Sequence, residues 1–237
     1  MAKGRDLWML GLDVIAAIAV LVVLYMALVW APDAANLTTP VERAAQRIFY
    51  LHMGANVGAG LGFLVTFVAS IIYLFSRRRI WDMLALSSAE LGVVFATAVL
   101  ATGSIWARPT WNTWWTWDPR LTTAAIVWLL YVAYLMLRGA LTDPARRARF
   151  AAVYGIFAFF SVPLTFMSIR WWRTIHPVVL GGSNPEAQGG FTLGPSIRLT
   201  MFVAMIAFAI LYTALLVHRV RLERAAEEIE QLKEQFA

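Results

Sequence analysis

Apolar residues along the chain fall into six long runs, separated by short segments that are polar or rich in aromatic residues. A bilayer with a hydrocarbon core of about 30 Å requires about 20 mostly apolar residues in a spanning helix. The six runs are residues 9–30, 53–75, 83–105, 121–137, 150–169 and 199–217. The fourth run is short, so we expect its helix to begin within the preceding loop. The pattern predicts an all-α membrane protein with six transmembrane helices.

The composition supports a membrane protein and excludes several other classes. Hydrophobic residues make up 60% of the chain and charged residues 14%, whereas soluble domains have about 45–50% and about 25%. The chain contains no cysteine, which excludes a disulfide framework, a thiolate metal site and haem attachment through cysteine. We expect no nucleic-acid partner, because basic loops at one membrane face account for the net charge of +6.

Positive charge is distributed unevenly between the two sets of loops. The termini and the loops after the second and fourth helices carry thirteen Lys and Arg residues, and the other three loops carry seven. Because cytoplasmic loops are enriched in Lys and Arg, both termini are predicted to be cytoplasmic. The loops 31–52, 106–120 and 170–198 are then predicted to face outward, which in a bacterium means the periplasm and a protein of the inner membrane.

Residues 218–237 have a different pattern from the spans. Apolar side chains recur there at steps of three and four residues, with Glu and Arg between them: Leu222, Ala225, Ile229, Leu232 and Phe236. This periodicity predicts an amphipathic helix. We therefore divide the chain into a six-helix domain, 1–217, and a cytoplasmic tail, 218–237. The tail either docks on a partner or extends the sixth helix into solvent.

The loop between the third and fourth helices contains a dense run of tryptophans, WNTWWTWDPRLT over residues 111–122. Interfacial belts of membrane proteins are also rich in tryptophan. Belts, however, collect residues from many helix ends, whereas this run is contiguous and includes Asp118 and Arg120. Indole faces provide a large apolar contact area, and arginine pairs with carboxylates. The run therefore favours a flat, apolar ligand with acidic groups at its edge.

Two of the three histidines, His52 and His176, are on the predicted periplasmic side, as the tryptophan run is. Haem is flat and apolar, carries two propionates and takes axial ligands at its iron, so it fits this set of residues. Asn56 follows His52 by one helical turn and is predicted to orient it. Trp172 shares a helical face with His176 if the segment SIRWWRTIHP stays helical. His218, at the inner end of the sixth helix, is expected to be structural.

These features together resemble the haem exporter protein C family of cytochrome c maturation. The similarity lies in the number of helices, the WNTWWTWDPRLT signature and the SIRWWRTIHP segment. Where the family usually has a glycine after the first tryptophan of the signature, this chain has Asn112. The resemblance implies a haem-transfer protein with haem b as the bound molecule and no catalytic residue, and it leaves open whether assistance in the covalent attachment of haem to a chaperone makes the protein an enzyme.

The resemblance also implies roles for individual residues. His52 and His176 are then the axial ligands of the haem iron, and Arg120 pairs with a propionate. A platform for the haem is formed by the centre of the signature: Trp114, Trp115, Trp117 and Asp118. Nearby residues of suitable chemistry are predicted as further haem contacts: Trp111, Trp172, Arg173 and Asn56.

Partners are implied by the same resemblance. Haem is expected to pass to a periplasmic haem chaperone, which attaches it covalently. An ABC transporter, made of ATPase and membrane subunits, is expected to drive release of the loaded chaperone. A small single-span membrane subunit completes the expected complex.

Two other functions remain open. A haem-containing subunit of a membrane oxidoreductase buries its haem between helices, with histidines inside the spans. A small-molecule transporter needs discontinuous helices near the middle of the bilayer, and Pro163 is the one proline within a predicted span. The outer side has only two histidines, and both are at the ends of predicted spans. This placement favours presentation of haem at the surface over a transmembrane electron path.

Overall fold

The structure is a computed structural model that describes residues 2–180, 185 and 192–236. Its secondary-structure elements are all helices: α1 (Ala2–Tyr25), continued by a π-helical turn (Met26–Trp30), α2 (Pro40–Ser76), α3 (Arg79–Trp111), α4 (Pro119–Ala140), α5 (Pro144–Phe159), α6 (Ser161–Trp171) and α7 (Pro195–Phe236). Part of the predicted loop 170–198, residues 181–184 and 186–191, lies outside the described residues. Among the described residues, six helical stretches are long and apolar enough to cross a membrane, which confirms the predicted all-α fold and its six spans.

Helix α2 begins earlier than its apolar run suggests. It starts at Pro40, so residues 40–52, predicted as part of an outer loop, form its first turns. Thr39 Oγ1 accepts a hydrogen bond from the Glu42 N–H at 3.2 Å, and the Glu42 carboxylate accepts one from the Thr39 N–H at 2.9 Å. This capping box accounts for the early start. As a result, His52 lies inside a helix and not at its end.

The predicted tryptophan loop, 106–120, is shorter in the structure. Helix α3 continues to Trp111 and α4 begins at Pro119, so the loop comprises residues 112–118. Asn112 ends α3 in the left-handed conformation, with φ at 54°. Glycine adopts this conformation freely and asparagine is the next most tolerant residue. The start of α4 before residue 121 confirms that the fourth span begins inside the predicted loop. We call this end of the bundle the tryptophan end.

The fifth span consists of two helices. α5 ends at Phe159 and α6 begins at Ser161, although the sequence predicts one uninterrupted run. Pro163 accounts for the interruption, because it lacks the N–H that would donate to the carbonyl of Phe159. The Ser161 hydroxyl donates to the carbonyl of Ala158 at 2.6 Å and closes the last turn of α5.

Small residues bring α2 and α3 into close contact inside the bundle. Gly62 on α2 faces Gly92 on α3, and a methyl group added at Gly62 would lie 2.5 Å from the Gly92 Cα. The ring of Phe95 covers Gly58 in the same way, at 2.7 Å from an added methyl group. The two helices therefore meet at a distance that only glycine permits.

Replacing Gly62 with alanine should destabilise the protein, because the backbone of Gly92 occupies the space that the methyl group needs. Overpacking of this kind costs about 1–3 kcal/mol. The measurement is the free energy of unfolding in detergent, followed by circular dichroism. Gly60→Ala, on the same helix, is the matched control, since nothing lies within 4 Å of its added methyl group. Equal stability of the two variants would contradict the close approach of the helices.

A network of ion pairs joins three helices at the end opposite the tryptophan end. Arg138 on α4 donates to both carboxylate oxygens of Asp82 on α3, at 2.6 and 3.0 Å. The two side chains are only 5% and 2% exposed. Arg79 pairs with Asp82 and with Glu227 on α7. The network therefore ties α3, α4 and α7 together.

Helix α7 runs without interruption from Pro195 to Phe236. Residues 218–236 thus continue the sixth span as a helix. The large apolar side chains of its stripe are exposed, by between 52% and 87%: Leu222, Ile229, Leu232 and Phe236. The division of the chain into two domains after residue 217 stays a prediction, as does the cytoplasmic position of both termini.

Candidate functional site

A cavity of about 370 Å³ lies at the tryptophan end, between α2 and α3 on one side and α4 and α6 on the other. Its wall includes two histidines, two arginines and three tryptophans: His52, His176, Arg120, Arg170, Trp106, Trp111 and Trp115. Sites for small-molecule ligands usually have volumes of about 300–1,000 Å³. The two outer histidines, which are far apart in the sequence, therefore meet at one cavity of ligand-binding size.

The imidazole of His52 is held by α3. Its Nδ1 lies 3.0 Å from Thr102 Oγ1. Asn56, which the sequence predicts to orient this ring, instead donates from Nδ2 to the backbone carbonyl of His52 at 2.9 Å. A short polar side chain on a helix readily bonds the carbonyl one turn earlier, so the contact of Asn56 with His52 is made through the backbone, and a role of Asn56 in orienting His52 stays a prediction. Asn56 nevertheless lines the cavity.

His176 lies in the irregular segment 172–180, which follows α6. The helix ends at Trp171, and Trp172 is extended, with φ at −125° and ψ at 155°. Trp172 and His176 consequently do not share a helical face, and this expectation is wrong. Trp172 is 45% exposed and lies outside the cavity wall.

Asp118 fixes the segment that carries His176. Its Oδ2 accepts hydrogen bonds from the Thr174 hydroxyl and, at 3.2 Å, from the Ile175 N–H. The Thr174 oxygen in turn accepts from the His176 N–H at 3.0 Å. Asp118 Oδ1 caps α4 by accepting from the Leu121 N–H at 2.9 Å. Asp118 lies outside the cavity wall, and its hydrogen bonds hold the segment that carries His176 against the start of α4.

The surroundings of His176 keep its imidazole neutral. Burial away from water lowers the pKa of His176 to about 3, and the guanidinium of Arg120 and the ring of His52 act in the same direction. Its Nδ1 lies 3.0 Å from the carbonyl of Pro177, which can only accept, so Nδ1 carries the proton. Nε2 then keeps its lone pair, which is the form in which histidine binds metals.

Arg120 and Arg170 place two guanidinium groups in the cavity wall. Arg120 Nη1 donates to the carbonyl of Thr165 at 2.5 Å. Arg170 Nη1 donates to the carbonyl of Phe166 at 2.5 Å, and its guanidinium lies 4.0 Å from the centroid of the Phe166 ring. Arg173, the predicted haem contact in this segment, is exposed and outside the wall. Arg170, three residues earlier, lines the cavity instead.

Only part of the tryptophan run reaches the cavity. Trp111 and Trp115 line it, together with Trp106 from the last turns of α3. The rings of Trp106 and Trp111 meet edge to face, with their centroids 5.3 Å apart. Trp114 and Trp117 are 57% and 77% exposed and lie outside the wall. The loop therefore presents indoles both to the cavity and to the surroundings of the protein.

Deeper in the bundle, the cavity wall is apolar and reaches Phe63 on α2 and Val127 on α4. Within the part of the chain that the structure describes, no group of three or more His, Cys, Asp or Glu side chains could hold a bare metal ion. Imidazoles, guanidinium groups, indoles and an apolar interior together suit a flat, apolar ligand that carries anionic groups and a metal with open axial positions.

Known proteins resemble this chain over most of its length. The family model described as heme exporter protein C matches residues 4–235. Heme exporter protein C of Bradyrhizobium diazoefficiens is 31% identical over 192 residues, which cover 81% of this chain and 72% of that protein. The proteins of the same name are 30% identical in Escherichia coli K12 (74% and 69% covered) and in Rhodobacter capsulatus (83% and 81% covered). The chain therefore belongs to the heme exporter protein C family.

Proposed function

We propose that the protein binds haem b at the periplasmic face of the bacterial inner membrane and delivers it to a periplasmic haem chaperone during maturation of c-type cytochromes. The observation that carries this proposal is the meeting of His52 and His176 at one cavity, beside Arg120. Membership of a family whose relatives are named for heme export supports a role in haem handling.

The cavity residues fit haem in each of their chemical properties. Two imidazoles suit the axial positions of the iron. The guanidinium groups of Arg120 and Arg170 suit the two propionates, because arginine binds carboxylates in a bidentate manner. The indoles and the apolar interior suit the porphyrin ring. His52 and His176 are thus the proposed ligands, and Trp111, Trp115 and Asn56 are proposed contacts.

Haem is the cargo of this protein, so it has to leave the site. The outer wall of the cavity is formed by irregular chain, in the loop 112–118 and the segment 172–180. Such segments open at a lower free energy than packed helices do. Trp114 and Trp117 expose apolar surface on the same loop and are the proposed contacts for the chaperone.

The proposed function is tested with protein purified in detergent from haem-replete cells. We expect a Soret band, b-type haem that solvent extracts, and about one haem per chain. When this haem-loaded protein is mixed with the haem-free chaperone, the haem should move to the chaperone. A chaperone variant that lacks its haem-binding histidine is the control. Protein that contains no haem under these conditions would contradict the proposal.

The alternative is a haem-containing subunit of a membrane oxidoreductase. The position of His52 inside helix α2 favours it, since such subunits carry their ligands within spans. The two functions differ in the fate of haem. A transfer protein gives its haem to the chaperone, whereas an electron-transfer subunit retains it through repeated reduction and oxidation. Retention of haem in the presence of the chaperone would therefore favour the alternative.

Arg120→Ala should lower haem retention, because the guanidinium in the cavity wall is lost. A hydrogen bond to a charged group contributes about 1.5–3 kcal/mol, which corresponds to a loss of about 10–100-fold in affinity. Arg120→Lys should restore it only in part, since lysine lacks the bidentate geometry. Arg173→Ala is the matched control, because Arg173 is exposed and outside the cavity. Equal haem retention in all of these proteins would remove the proposed role.

We propose further that the protein works in a complex with the ATPase and membrane subunits of an ABC transporter and with a small single-span subunit. Truncation after Val220 should reduce co-purification of the transporter subunits, because it removes the exposed apolar stripe of α7. Haem content should not change, since the cavity is at the other end of the bundle. The matched variant keeps the helix and replaces all four large side chains of the stripe with serine: Leu222, Ile229, Leu232 and Phe236. An unchanged complex in both would make the tail a passive extension.

A further inference from the structure

We infer that Thr102 is a positioning residue, which sets the tautomer and the orientation of the His52 imidazole and leaves Nε2 as the nitrogen available to the haem iron. The part of this inference that concerns haem rests on the proposed function. Thr102 lies on α3 and His52 on α2, and Thr102 Oγ1 is 3.0 Å from His52 Nδ1. The two residues come together through the close packing of these helices.

The direction of this hydrogen bond follows from the other contacts of the Thr102 hydroxyl. Its Oγ1 lies 2.6 Å from the carbonyl oxygen of Ala98 and 3.3 Å from that of Val99. A carbonyl only accepts and a hydroxyl has a single proton, so the Thr102 proton points to Ala98. The oxygen lone pairs then face His52, whose Nδ1 must donate. A neutral imidazole protonated at Nδ1 carries its lone pair on Nε2.

A second contact holds the His52 ring from the same helix. Gly103, next to Thr102, leaves little space beside the imidazole, because a methyl group added there would lie 3.2 Å from His52 Cε1. The backbone of α3 therefore approaches the ring closely where the hydrogen bond is made. A side chain at residue 103 would press on the ring, and a side chain without a hydroxyl at residue 102 would release it.

His176 reaches the same tautomer by a different route, since its Nδ1 bonds to the carbonyl of Pro177. Both proposed ligands would thus present Nε2 to the iron. Partners of this kind fix the orientation of a ligating histidine and increase its basicity. A backbone carbonyl cannot be removed by substitution, whereas the Thr102 hydroxyl can, so the inference is tested on the His52 side.

The first experiment uses haem-free protein in detergent, with ¹⁵N in the histidine rings. The chain has three histidines, so single alanine variants assign each ring by nuclear magnetic resonance. We expect His52 in the wild type to be protonated at Nδ1 and unprotonated at Nε2. Thr102→Val should weaken this preference, because the carbonyl of Val99 is then the acceptor that remains beside the ring, and Thr102→Ser should keep it. Thr213→Val is the matched control, because Thr213 makes an equivalent bond to the Ala209 carbonyl at 2.8 Å on α7.

The second experiment measures haem affinity and the haem midpoint potential of the same proteins. Loss of such a partner lowers metal affinity by about 10–100-fold, and we expect this loss, with a shifted potential, in Thr102→Val but not in Thr102→Ser. If the His52 ring of the wild type is protonated at Nε2, the inference is overturned, even if haem binds. This outcome is read from the wild-type protein and does not depend on whether a variant at residue 102 folds. An unchanged His52 spectrum in folded Thr102→Val also overturns it. The expected tautomers without haem binding in any protein would support the positioning by Thr102 and reject the proposed function.

Discussion

His52→Ala and His176→Ala should each lose most of the bound haem, and any haem that remains should have one axial histidine instead of two. Each variant removes one imidazole from the cavity wall. Loss of a hydrogen-bond partner of a ligating histidine already lowers metal affinity about 10–100-fold. We therefore expect loss of the ligand itself to lower haem affinity by more than about 100-fold. The measurement is haem content per chain, together with a titration of haem into the haem-free protein followed in the Soret region.

His218→Ala is the control for this pair of variants. His218 lies at the opposite end of the bundle, where its Nε2 is 2.8 Å from a carboxylate oxygen of Asp13, so its loss should leave the haem spectrum unchanged. Free imidazole should restore two-histidine ligation to His52→Gly and His176→Gly, because the small residue leaves room for it. Haem that survives in both alanine variants would mean that the ligands lie elsewhere, and would favour the oxidoreductase function again.

Asp82→Asn should be the most destabilising of the substitutions considered for this chain. It leaves the guanidinium of Arg138 buried, at 5% exposure, without its bidentate carboxylate. Breaking a buried ion pair by removing one partner costs about 3–5 kcal/mol. The free energy of unfolding in detergent, measured by denaturant titration, should fall by that amount, whereas haem ligation at the tryptophan end should be retained in the folded fraction.

A second variant distinguishes the effect of the unpaired buried charge on stability from a general loss of packing contacts. Asp82→Leu combined with Arg138→Met removes both charges, and such a replacement is often neutral or stabilising. We therefore expect the double variant to be more stable than Asp82→Asn. Lys233→Ala breaks the exposed pair with Glu230 and should cost less than about 1 kcal/mol. A loss below 1 kcal/mol in Asp82→Asn would show that the buried pair contributes little to the fold.

The fold could be predicted from the sequence because a bilayer imposes a simple rule on helix length. Apolar runs identify the six spans, but they do not mark the ends of the helices. Helix α2 starts at Pro40 because of the capping box of Thr39 with Glu42, a signal in polar residues that a search for apolar runs passes over. The interruption after Phe159 similarly depends on one proline within an apolar run.

The candidate site was predictable in its residue types and less so in its contacts. The histidines stand out because the chain contains only three, and the tryptophan run stands out because five of the eleven tryptophans fall within residues 106–117. Thr102 does not stand out, because hydroxyl residues occur throughout helices, and only the packing of α2 against α3 brings it to His52. Arg170 and Arg173 are three residues apart, and the point at which α6 ends decides which of them lines the cavity.

The partners of charged residues within the helices likewise could not be predicted from the sequence. Arg138 is predicted from the sequence to be a loop charge, yet in the structure it is buried on α4 against Asp82. Glu90, inside the third span, pairs with Arg219 on α7, with Nε and a carboxylate oxygen 2.6 Å apart. Partners so distant in the chain follow from the arrangement of helices, and no spacing rule predicts them.

The two carboxylate oxygens of Asp118 couple the opening of the cavity wall, formed by the loop 112–118 and the segment 172–180, to the start of α4. One oxygen holds the amide of Leu121 at the start of α4 and the other holds the amide of Ile175 beside His176. Opening the wall around the cavity therefore also exposes the first turn of a transmembrane helix to water. We therefore expect the two amides, although far apart in the chain, to exchange their hydrogens as one unit, and removal of a ligand through this wall would have to overcome the stability of that whole unit.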